Sequence, residues 1–415
     1  MRPRGGRFEV NMRLNQSIKY REVPLSAFGS RPILRIRDID AVLSNYRLFR
    51  ERAHSTGTRC APVLKADVHG LGMADVAPAL YAEGAREYFV EEAIEGAILR
   101  QHLSHRESTI YVMAGYLKGE EGLFASNSLI PCVNSISQLV RLRDSTKGQA
   151  PVKVAIYFDC DMNRIGFSRD ETEELARDFR LLTGHLEVVM YMSHLYNIKG
   201  HDHRNCYRQR EILIEYLKLL PRRDVSLACT DSVTLLPNKD FNFDLIRPGI
   251  GLVGGAPNAR DVIPGIKSAV EYYVKLSRSR IVGKGSTVGY GGAYTVNSDT
   301  KIAIAHLGYK DGYVRALSRL DSSPDRGAWM AIGGIRANVI GKISLGLTAL
   351  DVTNVPDEVI EKLGYAEVLG PNVDMKQIAD IGGCYEFLAA LGRPNPKIQD
   401  FTLDTYKKHF NHDVN

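Results

Sequence analysis

Between about residue 30 and residue 255, short β-rich runs alternate with helical stretches, and this alternation limits the fold more than any other feature of the chain. The runs are PVLKA (62–66), EYFVE (87–91), TIYVMA (109–114), LIPCVN (129–134), VKVAIYFD (152–159), LEVVMYMSH (186–194), VSLACT (225–230) and FDLIRPGI (243–250). The segments between them, such as VEEAIEGAILRQHL, repeat apolar residues at three- and four-residue steps, the period of an amphipathic helix. Several runs are apolar on both faces, as parallel strands covered by helices are. Eight such units predict a (β/α)8 barrel of the TIM type. An open doubly wound sheet is the alternative, but no GxGxxG opens the first helix.

The pattern changes at GGAPNARDVIPG (254–265), a connector rich in turn residues. SAVEYYVKLSRSRIV follows with period-two alternation, then TKIAIAHLG, WMAIGG, ANVIGKISLG, ALDVT and YAEVLG, separated by turns and with little helix. The expected division is an N-terminal extension (1–29) packed in part on the β domain, a barrel (30–262) and a mainly β domain (263–415). A chain of 415 residues exceeds the usual single core.

Composition excludes several classes. A hydrophobic share of 44% supplies a core, and the net charge of +6 is spread thinly. The basic cluster MRPRGGRFEVNMR has no aromatic-basic stripe beside it, so it reads as a solvated arm and not as a nucleic-acid contact. No run reaches the length of a membrane span, and no apolar core follows the N-terminal charge as in a secretory signal. A cytoplasmic location is expected by default. The six cysteines, at 60, 132, 160, 206, 229 and 384, lack CxxC spacing and read as reduced thiols. His201 to His203 (HDH) lie in a polar loop without a third ligand, so no metal is expected.

Catalytic groups of a barrel sit at the C-terminal ends of its strands. Lys65 ends the first run, just before the glycines of LKADVHGLG. Its amine can form a Schiff base with an aldehyde, and partial burial would make it nucleophilic. Alone, it is an ordinary snorkelling lysine. Other strand ends change that reading. Arg164 follows the fifth run, His194 ends the sixth and Arg247 lies in the eighth. The loops CTDSV and RPGIGL, after the seventh and eighth runs, stand where barrels bind phosphate. A lysine, a histidine to stack, a guanidinium and a phosphate cradle are what pyridoxal 5′-phosphate requires.

These motifs carry a resemblance to the alanine racemases, the fold-type III pyridoxal-phosphate enzymes, from about residue 30 to 400. LKADVHGLG resembles the family segment KANAYGHG, and DMNRIGF resembles GMNRLGF. MSHL and DLIRPGIGLVGGAP match nearly residue for residue. VGYGGAYT and LGYKDGYVRALS resemble VGYGATWT and VGYADGYPRALS. The resemblance implies a barrel plus a β domain working as a head-to-tail homodimer with shared sites, with no nucleic-acid or membrane partner. It also implies roles. Lys65 would carry the cofactor and act as one of two opposed bases at Cα. Tyr290, from the partner subunit, would be the other. Because a phenol is a poor base, its proton would pass toward His194 and Arg247. Arg247 would face the pyridine nitrogen and leave it unprotonated. The phosphate would meet His69, Gly249, Ile250 and a hydroxyl of CTDS, Thr230 or Ser232. Arg164 would hold the substrate carboxylate, Leu345 would offer it a backbone N–H, and Tyr309 would line the entrance.

Three departures stand out. His69 replaces a tyrosine of the lysine motif. Tyr157 stands where some members have a carbamylated lysine that props the carboxylate-binding arginine. GKISLGLTALDVT replaces a segment reading SMDM, with Leu345 and Gly346 in place of Met-Asp. Alanine is the default substrate, and the volume and charge lost at Gly346 point to a larger or differently charged one as the alternative. A decarboxylase of the same fold is expected less, because its HxGS segment and late cysteine motif are missing. A degenerate cofactor-binding protein is disfavoured by the retention of Lys65, Tyr290, Arg164, His194 and Arg247.

Overall fold

The computed structural model describes residues 23–55, 57–103, 107–196, 203–227, 239–256, 263–382, 391 and 395–410. Strand β1 (Ile33–Arg37) precedes eight strands that curve into a (β/α)8-like barrel. These are β2 (Arg59–Cys60), β3 (Glu87–Val90), β4 (Thr109–Val112), β5 (Leu129–Val133), β6 (Lys153–Tyr157), β7 (Glu187–Met192), β8 (Asp224–Ser226) and β9 (Leu245–Ile246). Strands β3 to β8 make one parallel sheet, and β2 pairs with β9, also in parallel. Two seams join these pieces. Leu64 N donates to Phe89 O (2.8 Å) and Phe89 N to Pro62 O (3.0 Å), while Asp244 N donates to Val225 O (3.0 Å).

The first expected run is a strand only in part. The ladder assigned to β2 stops at Cys60, because Pro62 has no N–H to donate. Val63 still bridges Phe89, and its N–H reaches Pro248 O at 2.8 Å. The strands alternate as their pleat requires. Phe89, Tyr111, Ile130, Ala155, Tyr157 and Met190 fill the barrel, with Phe89 and Tyr111 stacked at 4.7 Å. Their neighbours Tyr88, Ile110 and Ile156 face the helices in the larger core. Asn45, fully buried on the helix Ile39–His54, donates to Leu252 O and Lys267 O and accepts from Lys267 N. It thereby ties this helix to the segment after β9.

The remaining strands are β10 (Val270–Val282), β11 (Thr287–Val288), β12 (Tyr294–Thr295), β13 (Thr300–Ala305), β14 (Trp329–Ile332), β15 (Ile335–Val339), β16 (Thr348–Asp351), β17 (Tyr365–Leu369) and β18 (Ile398–Thr402). The main sheet runs β13-β16-β15-β14-β17-β10-β1-β18. Strand β1, expected within the barrel segment, belongs here: it is antiparallel to β10 and parallel to β18. Charge explains part of this. Arg35 and Arg37 both reach Asp400 of β18, Nε to carboxylate, at 2.8 and 3.1 Å. Helices Asp357–Leu363, Met375–Gly382 and Leu403–Phe410 give this part more helix than expected. Of the extension, the described residues lie against β17, with Val23 N donating to Tyr365 Oη at 2.8 Å. Among the described residues no helix is long and apolar enough to cross a membrane.

Candidate active site

Past Lys65 the chain does something its sequence does not announce. Ala66, Asp67, Val68 and His69 all hold left-handed backbone, with φ of 52, 52, 58 and 52°. For L-residues this costs about 1–2 kcal/mol each, and such runs persist only where the surroundings hold them. Here Glu95 accepts from Ala66 N (2.6 Å) and from Glu91 N (2.9 Å). Asp67 accepts from Met73 N at 2.6 Å, and Val68 is fully buried. Arg35 and Arg37 of β1 donate to the carbonyls of Gly70 (2.9 Å) and Leu71 (2.6 Å). The turn fixes Lys65 at the rim, its side chain 38% exposed and its amine 2.5 Å from Glu91.

Three other predicted groups converge there. His194 is pushed down to about 3 by burial, with the charges of Arg247, Arg164 and Lys65 adding to the effect. One neutral imidazole thus sits in the field of three cations. Arg247 is almost wholly buried, donates to Ser193 O and lies 5.5 Å from the centre of the Phe89 ring, close enough for a cation–π contact. Gln209, fully buried on the helix Arg204–Leu219, donates to Cys160 O (2.8 Å) and His194 O (3.0 Å) and accepts from Tyr196 N (3.1 Å). His69 lies with Arg35, Leu71 and Tyr272 around a small cavity, pushed down to about 4 by burial and then by Lys65. It is therefore neutral near pH 7 and keeps one N–H donor. Gly249 precedes the turn Ile250–Val253, whose first N–H groups have no partner within the turn by its geometry. Thr230 and Ser232 lie outside the described residues.

Tyr290, Tyr309, Leu345 and Gly346 lie elsewhere, on the β domain, and are 66, 39 and 52% exposed for the three larger side chains in that order. They share one face. Gly341 and Lys342 back the Tyr290 turn: a side chain at Gly289 would meet Lys342 N at 3.2 Å. Two residues on, Tyr309 N donates to Ser344 O (3.1 Å) and Lys310 N to Leu345 O (3.0 Å). The approach needs Gly308, since a Cβ there would stand 2.5 Å from Gly346 N. Arg315 lies 4.4 Å over the Tyr309 ring. No hydrogen bond or ion pair of the described residues joins Tyr290 to the barrel rim of its own chain. Among the described residues no cluster of His, Cys, Asp and Glu is placed to hold a metal.

Sequence reasoning missed Glu95, Gln209, Arg35 and Arg37. Gln209 had a signal: it stands among Cys206, Leu213 and Tyr216 on a buried helix face, where an uncharged polar residue needs a partner.

A barrel with a lysine and a buried arginine at its rim, joined to an antiparallel β domain, defines a two-domain class of enzymes, and the comparisons with known proteins agree with it. The alanine racemase N-terminal domain model matches residues 37–257 and the C-terminal domain model matches residues 269–398. The chain belongs to the alanine racemase family. It is 35% identical to the alanine racemase of Rhizobium meliloti over 362 residues, 86% of this chain and 93% of that protein. It is 32% identical to the biosynthetic alanine racemase of Agrobacterium fabrum, over 88% and 93% of the two chains. Among solved structures, the Bartonella henselae alanine racemase with covalently bound pyridoxal phosphate superimposes with a TM-score of 0.78 at 26% identity, covering 90% of this chain and 99% of that one.

Proposed function

We propose that this chain is a pyridoxal 5′-phosphate-dependent racemase that interconverts L- and D-alanine, and that it works as a homodimer with shared sites. One observation carries the reading: Lys65, Arg164 and Arg247 gather around a neutral His194 at the C-terminal end of the barrel. Such a rim suits a ligand with two anionic groups, a phosphate and a carboxylate. The covalent pyridoxal phosphate of the Bartonella relative supports the same cofactor here. Lys65 would carry it, with His69, His194, Arg247, Gly249, Ile250 and a hydroxyl of Thr230 or Ser232 around it. When bound, it supplies an electron sink that acidifies the substrate α-C–H.

The chain's own groups then divide the work. Arg164 binds the carboxylate. Lys65 takes or returns the α-proton on one face, and Tyr290 of the partner subunit serves the other. Arg247 cannot give up a proton at working pH, so it would serve the cofactor's ring nitrogen as a hydrogen-bond donor without protonating it. His194, at about 3, is too weak a base to keep the phenol's proton. Exposed Tyr290, Tyr309 and Leu345 on one face of the β domain fit a surface that a second barrel covers. In this reading residues 1–29 are an extension, 30–262 carry the barrel apart from β1, and 263–415 carry the β half.

The test is to incubate the cofactor-loaded protein with L-alanine and, separately, D-alanine, and to analyse the products on a chiral column. Both should approach an equal mixture, because the enantiomers have equal free energy. Carbon dioxide release, or no D-alanine from L-alanine, would overturn the reading.

A further inference from the structure

Lys65 has a charged companion at the rim. Its amine donates to Glu91 Oε2 at 2.5 Å, a charge-assisted hydrogen bond at the short end of the range. Glu91 follows Val90, the last residue of β3, so it too stands at a C-terminal strand end, where a barrel places its chemistry. The two backbones are pinned to each other. One carboxylate, that of Glu95 on the helix Ala93–His102, accepts from Ala66 N through one oxygen (2.6 Å) and from Glu91 N through the other (2.9 Å). The Glu91 carbonyl accepts from Ala114 N at 2.9 Å, and Leu64 N donates to Phe89 O at 2.8 Å. The chain is therefore held on both sides of the Lys65–Glu91 bond.

Stability does not account for such a pair. The two side chains are 38 and 44% exposed, and ion pairs with that much contact with water contribute little to folding. The other titratable groups that feel the Lys65 charge, His69 and His194, are held neutral, chiefly by burial. Among the described residues the anion in contact with Lys65 is Glu91. We propose that Glu91 is a working partner of Lys65 in the racemase: it aims the amine and stabilises the ammonium that forms when Lys65 takes the α-proton. In that transfer the C–H bond pair stays with the substrate carbon, the proton goes to the amine nitrogen, and the new positive charge forms against the carboxylate. An opposite charge in contact favours the charged form, so the contact lowers the cost of the transfer. It works against attachment of the cofactor for the same reason, because only a neutral amine can attack the aldehyde carbon and release water. The inference rests on the reading of Lys65 as the cofactor lysine.

Glu91→Gln keeps the length of the side chain and removes the charge. The cofactor-free protein is mixed with pyridoxal phosphate at pH 7, quenched with borohydride at intervals and read by peptide mass spectrometry. Glu91→Gln should attach the cofactor to Lys65 about threefold faster than the parent, the scale of a partly exposed charge pair. In the loaded enzyme, racemisation of alanine should instead slow about threefold. The α-deuterium isotope effect should grow for one enantiomer, the one whose α-proton Lys65 takes, and not for the other. A merely damaged site would lose both activities and would not separate the enantiomers. Glu92→Gln removes the same charge one residue along and should match the parent throughout. Attachment and racemisation at parent rates in Glu91→Gln overturn the inference. So do a loss of both, an isotope effect that grows equally for both enantiomers, or the same changes in Glu92→Gln. If the parent itself attaches no cofactor to Lys65, the reading of that lysine fails, and the inference falls with it.

Discussion

At the barrel rim the polar groups are fixed by the chain itself: Lys65 by a left-handed turn, His194 by Gln209, Arg247 by the Ser193 carbonyl and the Phe89 ring. On the β domain, Tyr290, Tyr309 and Leu345 stand exposed on one face, and glycines bring their backbones close together. The rim gathers the positive charges of Lys65, which pairs with Glu91, and of Arg164 and Arg247 around His194. The β-domain face carries rings and a leucine that water disfavours. The first calls for an anionic ligand and the second calls for a cover, and the proposed head-to-tail pairing of two copies satisfies both.

The difference can be broken first with acid. His194 and His69 are held neutral in the fold, at about 3 and about 4, against about 6.5 when unfolded. From pH 7 downward the unfolded chain takes these protons first, so their contribution to stability is full above pH 7 and is lost as the pH falls toward 4. Between pH 7 and 5 this amounts to about 2 kcal/mol per histidine. Denaturant unfolding of the cofactor-free protein should therefore weaken over this range. His194→Asn and His69→Asn should each flatten the slope, whereas slopes equal to that of the parent would remove the neutral-histidine picture of the rim.

A smaller effect is expected at Gly346. A side chain begun there would meet Lys310 Cε at 3.1 Å and the amines of Lys310 and Lys397 at 3.8 Å. Lys397 already pairs with buried Asp311 at 3.0 Å. The expected wall of the site is thus positive and open, which favours an acidic over an uncharged or basic amino acid beside the default alanine. Leu345→Met with Gly346→Asp should lower the glutamate-to-alanine ratio of kcat/KM by roughly fivefold, the scale of an exposed charge pair. An unchanged ratio would show that these positions do not face the substrate.

Much of the barrel was legible because alternating apolar runs and helical periods survive in one dimension. The membership of β1 was not, since its partners β10 and β18 lie more than two hundred residues away and Asp400 gives no local sign of binding Arg35 and Arg37. The left-handed run Ala66–His69 was hidden for another reason. Only the glycines at 70 and 72 hint at unusual backbone, and the clamp that holds the turn comes from Glu95 on a different helix. Lys65, Arg164, His194 and Arg247 were readable as strand-end groups, and the fold brings all four together. Tyr157 was readable only as a departure from a family pattern.

The pairing of the two halves is tested most directly by mixing two inactive chains. Lys65→Ala removes the group proposed to carry the cofactor, and Tyr290→Ala removes the proposed second base from the other face. Co-refolded or exchanged in equal amounts, they should form heterodimers in which one site has both residues intact and the other has neither. About half of the chains pair this way at random, so racemase activity should return to roughly a quarter of the parent value per total chain, since each heterodimer has one of two sites intact. Heterodimers proven by mass spectrometry but devoid of activity would contradict the shared site and mean that Lys65 and Tyr290 do not act across the two subunits.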